Sequence, residues 1–518
     1  MFKIILENIK KHSIPVLFLL VFTFAFSLST YFSPYSKETF GHDAGIFAYI
    51  GYAITKGVPL YTGAWDNKGP LLYIINALGV SINYRYGIYI LEFISLFTTL
   101  FFMYKTASFF VPKYVAVIDA ALAMMPLTIT LEGGNLSEEW ALPFTVIAFY
   151  FIVKFFCNKH FLKKYEMMTV GACIAAIILL RLNIIMFIAV AVLSVIIILI
   201  KEKQIKTLLN VALYAFIGFI IFLLPFAIYL ILTKSLFACL DTAYFGVVGS
   251  FSALTKMQLL TNISAMIFRF IQSGGFFIII FFVLIFPFYY YKTKEQKSVL
   301  KTLLVICFFG LFATLIGNSI SGVEHMHYFM CFMPVMLLPV VWFSKAIYSF
   351  LCSVNVKSFA AIAVIAAFSF ILSINSISTL RYNIIGNLRD GTELHLQSQA
   401  MKVSDFVKAN SSPDDTVLLI GDATTVTSYY RAKRLAASNY FYYANGLFND
   451  NAKNEFANEI LKDTKENLPA IILFSNKLKL EDFLRHLDNP EDFTALLENN
   501  YVVNKNDFSY ISYIRVGE

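Results

Sequence analysis

Apolar runs of membrane length recur along most of this chain, and they leave room for only one kind of fold. A hydrocarbon core about 30 Å thick takes about 20 apolar residues per helix. Runs of that order fall near residues 13–32, 84–104, 114–131, 139–157, 167–182, 184–200, 207–232, 264–290, 300–318, 326–346 and 358–378. They predict a polytopic α-helical membrane protein with about 11 transmembrane helices. With 58% of 518 residues hydrophobic and 14% charged, no soluble globular class fits. A shorter apolar stretch at 71–80 predicts an interfacial or re-entrant helix.

Short loops then set the orientation, because Lys and Arg are retained on the cytoplasmic side. With the N-terminus inside, the inner loops carry Lys3, Lys10 and Lys11; Lys105 and Lys113; Lys154, Lys159, Lys163 and Lys164; Lys201, Lys203 and Lys206; Lys292, Lys294, Lys297 and Lys301; and Lys345 and Lys357. The outer connections at 132–138 and 319–325 carry neither Lys nor Arg, and that at 233–263 has only Lys234 and Lys256. The first run is too long for a typical signal sequence and lacks a small-x-small cleavage site, so a retained first helix is expected. The pattern predicts a multi-pass plasma or inner membrane protein with a cytoplasmic N-terminus, in contact with membrane lipids. It gathers Asp43, Asp66, Lys68, Glu132, Glu138, Glu139, Asp241, Glu324, His325 and His327 on the outer side, with Arg181 and Asn183 at an outer turn.

After Ser378 the composition changes. Residues 391–518 hold about 13 Lys and Arg against about 18 Asp and Glu, so the net charge of +8 comes from the membrane part. No nucleic-acid partner is predicted. TVLLIGD (416–422), AIILFSN (470–476) and FSYISYIRV (508–516) read as strands, and Ala400 to Ala409 is amphipathic. The expectation is a transmembrane domain over 1–380 and a small, extracytoplasmic, soluble α/β domain over 395–518. Gly421-Asp422 follows a strand without a GxGxxG, so a nucleotide site has no support. The six cysteines form no CxxC or His/Cys cluster, so neither a disulfide frame nor a structural zinc site is indicated.

The chemistry concentrates in a few segments. In the first outer loop, Asp43 can serve as a general base or as the N-cap of the apolar run that follows; the two are compatible, since a cap holds a carboxylate rigidly. Asp66-Asn67-Lys68-Gly69-Pro70 opens the short helix, where Lys68 could neutralise a phosphate or pair with Asp66 at the surface. Glu138 and Glu139 suit the first turn of a helix, while Glu132 ends an apolar run. Arg181 interrupts an apolar stretch, and an ion pair with Glu132 or Asp241 competes with anion binding. His325 and His327, two residues apart on a helix, would point to different sides, which disfavours a shared metal and leaves them as phosphate donors or an interfacial cluster.

These residues carry a resemblance. An acidic residue early in the first outer loop precedes Gly57-Val58-Pro59-Leu60-Tyr61, Trp65-Asp66-Asn67-Lys68-Gly69-Pro70 and Tyr73. Asn135-Leu136-Ser137-Glu138 and His327-Tyr328 followed by Pro334 add to it. Over roughly residues 1–380 the chain resembles the GT-C superfamily of membrane glycosyltransferases. More closely it resembles the family 39-like group that includes lipid A aminoarabinose transferases and protein O-mannosyltransferases. The resemblance implies a polyprenyl-phosphate sugar as donor and Asp43 as base. Many relatives have Asp-Glu where this chain has Asp43-Ala44, so a second-carboxylate role or a divalent metal is left without support.

A phosphate leaves as an anion without protonation, unlike the leaving oxygen in glycoside hydrolysis. One base on the acceptor and cations on the phosphate therefore suffice. The expectation is an inverting transfer to an extracytoplasmic glycan, lipid or protein. Asp43 would act as base, with Asp66, Lys68, Tyr61, Glu132, Glu138, Arg181, His325 and His327 contacting substrate. The rival class is a lipid or sugar transporter, which would show internal repeats and polar groups near the midplane; this chain shows neither clearly. An O-antigen ligase or polymerase would not predict the Trp65–Pro70 signature.

Overall fold

Eight helices among the described residues are long and apolar enough to cross a membrane: Gly87–Ala107, Lys113–Thr130, Ser137–Cys157, Leu182–Lys201, Ile205–Leu232, Val299–Ser319, Met326–Ser353 and Ser358–Leu388. The chain is a multi-pass membrane protein. In this computed structural model the described residues are 2–36, 42–246, 255–272, 277–292, 298–319, 325–392, 399–421, 423–442, 450–475, 478–505 and 510–516. Glu324 and Asp422 lie outside them. The eight helices coincide with eight of the expected runs. The run at 13–32 holds the shorter apolar helix Ser13–Ser27, and that at 167–182 the helix Lys164–Leu180. The run at 264–290 is shared by two helices, Lys256–Gln272 and Phe277–Lys292.

The chain forms two compact units. The first comprises Met1–Thr30, Ile90–Ile228 and Ala243–Gly386, and the second Tyr31–Tyr89, Tyr229–Thr242 and Asn387–Glu518. In the first, apolar helices pack by shape, since hydrocarbon removes the hydrophobic drive between them. One polar contact inside it crosses between helices: Ser344 donates to buried Asp119 at 2.6 Å.

The second unit contains a five-stranded sheet ordered β2-β1-β3-β5-β4, with β1 Thr416–Ile420, β2 Leu435–Ala436, β3 Ile471–Phe474, β4 Tyr501–Lys505 and β5 Ile511–Arg515. β1 pairs in parallel with β2 and β3, while β5 pairs antiparallel with β3 and β4. β1, β3 and β5 lie on the three expected strands. The two-residue β2 and the Asn-flanked β4 have too little apolar pattern to register. Leu418, Ile420, Ile472, Phe474, Phe483 and Phe493 are buried in its core.

The segment 31–89 belongs to this second unit. Its helix His42–Thr55 packs on Pro70–Ile82 and on Ala423–Ala432, and close approach requires glycine on both sides. A Cβ on Gly51 would lie 2.6 Å from the Asn76 Cβ, and one on Gly45 would lie 2.8 Å from the Thr427 hydroxyl. Gly51→Val should therefore destabilise the second unit by at least the roughly 1–3 kcal/mol typical of overpacking. It would be read as a fall in the melting temperature of the detergent-solubilised protein. Gly386→Ala, inside a helix where a Cβ meets nothing within 4 Å, should not lower that temperature.

Candidate functional site

In the second unit the chemistry is organised around a sunken carboxylate. Asp66 is 3% exposed. Its Oδ2 accepts from the Tyr73 hydroxyl at 2.7 Å, and its Oδ1 from the Tyr442 hydroxyl at 3.0 Å. Each charge-assisted bond to a carboxylate is worth about 1.5–3 kcal/mol. The loop is fixed further by the Tyr61 hydroxyl, which donates to the Lys68 carbonyl at 2.7 Å, and by the Lys68 amide, which donates to the Tyr73 hydroxyl at 3.1 Å. Tyr61 holds a left-handed backbone (φ 67°), rare for a bulky residue and sustained here by dense packing.

Asp43 lies in the first turn of His42–Thr55 and is half-buried. Burial raises the Tyr442 hydroxyl well above its usual pKa, and the negative charges of Asp66 and, more weakly, Asp43 add to the rise. Tyr442 thus stays protonated and donates, in the electrostatic field of both carboxylates. The half-buried Lys68 amine donates to the neutral Asn67 side chain at 2.7 Å. The surface ion pair of Lys68 with Asp66 is not formed, because Asp66 is turned inward to the two tyrosines.

A separate polar cluster occupies the first unit. Arg181 donates through Nη1 to Glu138 at 2.5 Å and through Nη2 to the Tyr328 hydroxyl at 3.1 Å, with its guanidinium 4.7 Å from that ring's centre. Ser137 bonds the other Glu138 oxygen at 2.8 Å. The carboxylate that partners Arg181 is therefore Glu138, rather than the Glu132 or Asp241 expected from sequence. Glu132 instead meets His327 Nδ1 at 2.5 Å. It opens a run of four left-handed residues, Glu132, Gly133, Gly134 and Asn135 (φ 46°, 90°, 87° and 56°). Trp140 pins that run by donating to Asn135 at 2.9 Å.

The histidines also depart from expectation. His325 precedes the 3₁₀ helix Met326–Phe332 in extended conformation, so the helical divergence assumed from sequence does not apply. The His325 and His327 rings stack at 5.0 Å and 11° instead. Sequence reasoning missed Tyr442, which lies 376 residues from Asp66 in the chain and bears no local signal. It also missed Glu92, fully buried beside Gly134, whose Cβ would meet it at 2.6 Å. An acidic residue within the apolar run 84–104 was the available clue.

Residues 6–352 match the family model for the competence-induced protein Ccs4 N-terminal domain. No curated protein matches the sequence. The fold is similar to that of ArnT from Cupriavidus metallidurans bound to undecaprenyl phosphate: TM-score 0.59, 11% identity, with 98% of this chain and 99% of that chain covered. It is also similar to the archaeal oligosaccharyltransferase AglB from Archaeoglobus fulgidus in complex with an inhibitory peptide and a dolichol-phosphate. There the TM-score is 0.55 and identity 14%, with 98% and 75% covered. The architecture is the GT-C fold, with a small C-terminal sheet region.

Two perturbations probe these clusters. Tyr442→Phe should lower the unfolding free energy by about 1.5–3 kcal/mol, because a buried carboxylate loses one donor. Arg181→Gln and Glu138→Gln should each cost about 3–5 kcal/mol, and the double variant much less than the sum, as for a buried ion pair. Thermal melts of the purified variants check both.

Proposed function

The chain belongs to the competence-induced protein Ccs4 N-terminal domain family, and from that premise we propose that it is an integral-membrane glycosyltransferase. It transfers a sugar from a polyprenyl-phosphate-linked donor to an acceptor outside the cytoplasm. Asp43 is the base. The observation that carries this reading is the ordered carboxylate pair of the second unit, in which one acid is sealed and the other half-buried in a first helical turn. Asp66, with both oxygens occupied by tyrosine hydroxyls, is a positioning residue for the loop that presents Asp43 and Lys68.

Asp43 takes the proton of the acceptor hydroxyl as that oxygen attacks the anomeric carbon. The bond from that carbon to the phosphate oxygen breaks, the phosphate leaves as an anion, and the configuration inverts. Lys68, whose described partner is a neutral amide, keeps its charge available to the departing phosphate. Arg181 is already neutralised by Glu138, which makes it a poorer phosphate ligand than Lys68. We assign Tyr61, Glu132, Glu138, Arg181, His325 and His327 to shaping and binding substrate, and the domain over 395–518 to shaping the acceptor. ArnT and AglB, whose folds this chain shares, were solved with undecaprenyl phosphate and dolichol-phosphate respectively, which supports a lipid-linked donor. The orientation proposed is N-terminus inside, with Asp43 and the C-terminal domain outside the plasma or inner membrane.

Purified protein incubated with labelled polyprenyl-phosphate sugars and a membrane extract should yield a labelled product of inverted configuration. Asp43→Asn should reduce transfer by at least about 10²-fold, the usual scale for a positioned base, while membrane insertion is kept. Full activity in that variant would remove the assignment. For orientation, Thr62→Cys should react with an impermeant maleimide on intact cells, and Lys203→Cys only after permeabilisation.

A further inference from the structure

Two carboxyl groups of the first unit take no part in the transfer proposed above. Glu92 lies near the start of the membrane-crossing helix Gly87–Ala107, and Glu139 in the first turn of Ser137–Cys157. Both are fully buried, at 0% exposure. None of their four oxygens has a hydrogen-bond partner. The Thr30 side chain and the Asn135 and Leu136 amides face them without completing a bond. Among the described residues neither carboxyl forms an ion pair with Lys, Arg or His. Arg181 of the same unit is taken by the neighbouring Glu138.

The two groups converge on one point. A Cβ built on Gly134 would lie 2.6 Å from Glu92 Oε1 and 3.3 Å from Glu139 Oε2. Glycine at 134 therefore keeps the ground between them open, within the left-handed run that precedes Ser137–Cys157. Thr30 reaches the same place, its Cβ 3.4 Å from that point. Its hydroxyl donates to the Ser27 carbonyl at 3.1 Å and has lone pairs left to offer. Helix dipoles account for an acid near the start of each helix, but not for the aiming of both at one spot. Two carboxylates side by side in an apolar interior repel, and each has given up its water without a bond in exchange. A cation between them relieves both penalties. The converging side chains offer oxygen only, which suits a hard ion, and two carboxylates balance a divalent charge.

We propose that Glu92 and Glu139 hold a hard divalent cation, of the class of Mg²⁺, Ca²⁺ or Mn²⁺. The ion fastens the turn before Ser137–Cys157 to the helix Gly87–Ala107 and to the chain that follows the first helix. Its ligands are none of the residues assigned above to the base, the donor or the acceptor, so the site stabilises the first unit and stands apart from the reacting atoms.

The test uses the full chain in mild detergent, stripped with EDTA, with Mn²⁺ as the probe. Free Mn²⁺ is counted by its electron paramagnetic resonance signal, and the melting temperature is followed across the same titration. Wild type should bind about one Mn²⁺ more per chain than the Glu92→Gln, Glu139→Gln double variant, and its melting temperature should rise as the ion is added. The double variant, relieved of the repulsion, should melt above stripped wild type and ignore Mn²⁺. Either single glutamine should weaken binding by at least the roughly 10–100-fold that loss of an outer-shell partner costs. Asp43→Asn should bind Mn²⁺ as wild type does, so failure here and failure of the transferase reading are distinguishable. Wild type whose melting temperature is unmoved by Mn²⁺ would overturn the proposal, whether or not the double variant folds. So would a Mn²⁺ count equal to that of the double variant; a proton shared by the two carboxyls would then suffice.

Discussion

The second unit depends on one buried carboxyl group, that of Asp66. Asp66 is withdrawn from solvent, and two tyrosine hydroxyls donate to its oxygens. One tyrosine opens the short helix beside it, and the other comes from the C-terminal α/β region. A single carboxylate thus ties the segment around residue 66 to a part of the chain hundreds of residues away. The main-chain bond from Trp65 to Asn439 at 3.0 Å and the packing of Gly45 on Thr427 run in parallel with it. The segment that carries Asp43 and Lys68 is therefore a structural part of the second unit.

The first unit solves a similar problem with opposite charges. Arg181 and Glu138 would each be costly alone in an apolar bundle; together, with Ser137 and Tyr328 filling the remaining bonding directions, they are tolerable. The neighbouring left-handed run from Glu132 to Asn135 turns the chain tightly enough to bring Glu132 to His327. Such strain persists only where surrounding contacts enforce it, and it is commonly found at functional positions.

Much of this was legible in the chain itself. Membrane character, eight of the spans and the short helix at 70–82 follow from run length, since hydrocarbon thickness sets helix length directly. Three strands of the C-terminal sheet follow from their apolar content. Local chemistry also singled out Asp43, Asp66, Lys68, Glu138, Arg181 and His327, because charge amid apolar sequence is expensive. Which of them touch was decided only by the tertiary structure. Arg181 chose Glu138, Asp66 turned from Lys68 to Tyr73 and Tyr442, and the histidines stacked because one lies outside the helix. Period and composition report the burial of a segment against an average surrounding; partner choice depends on distances between residues far apart in sequence, and no local pattern encodes those.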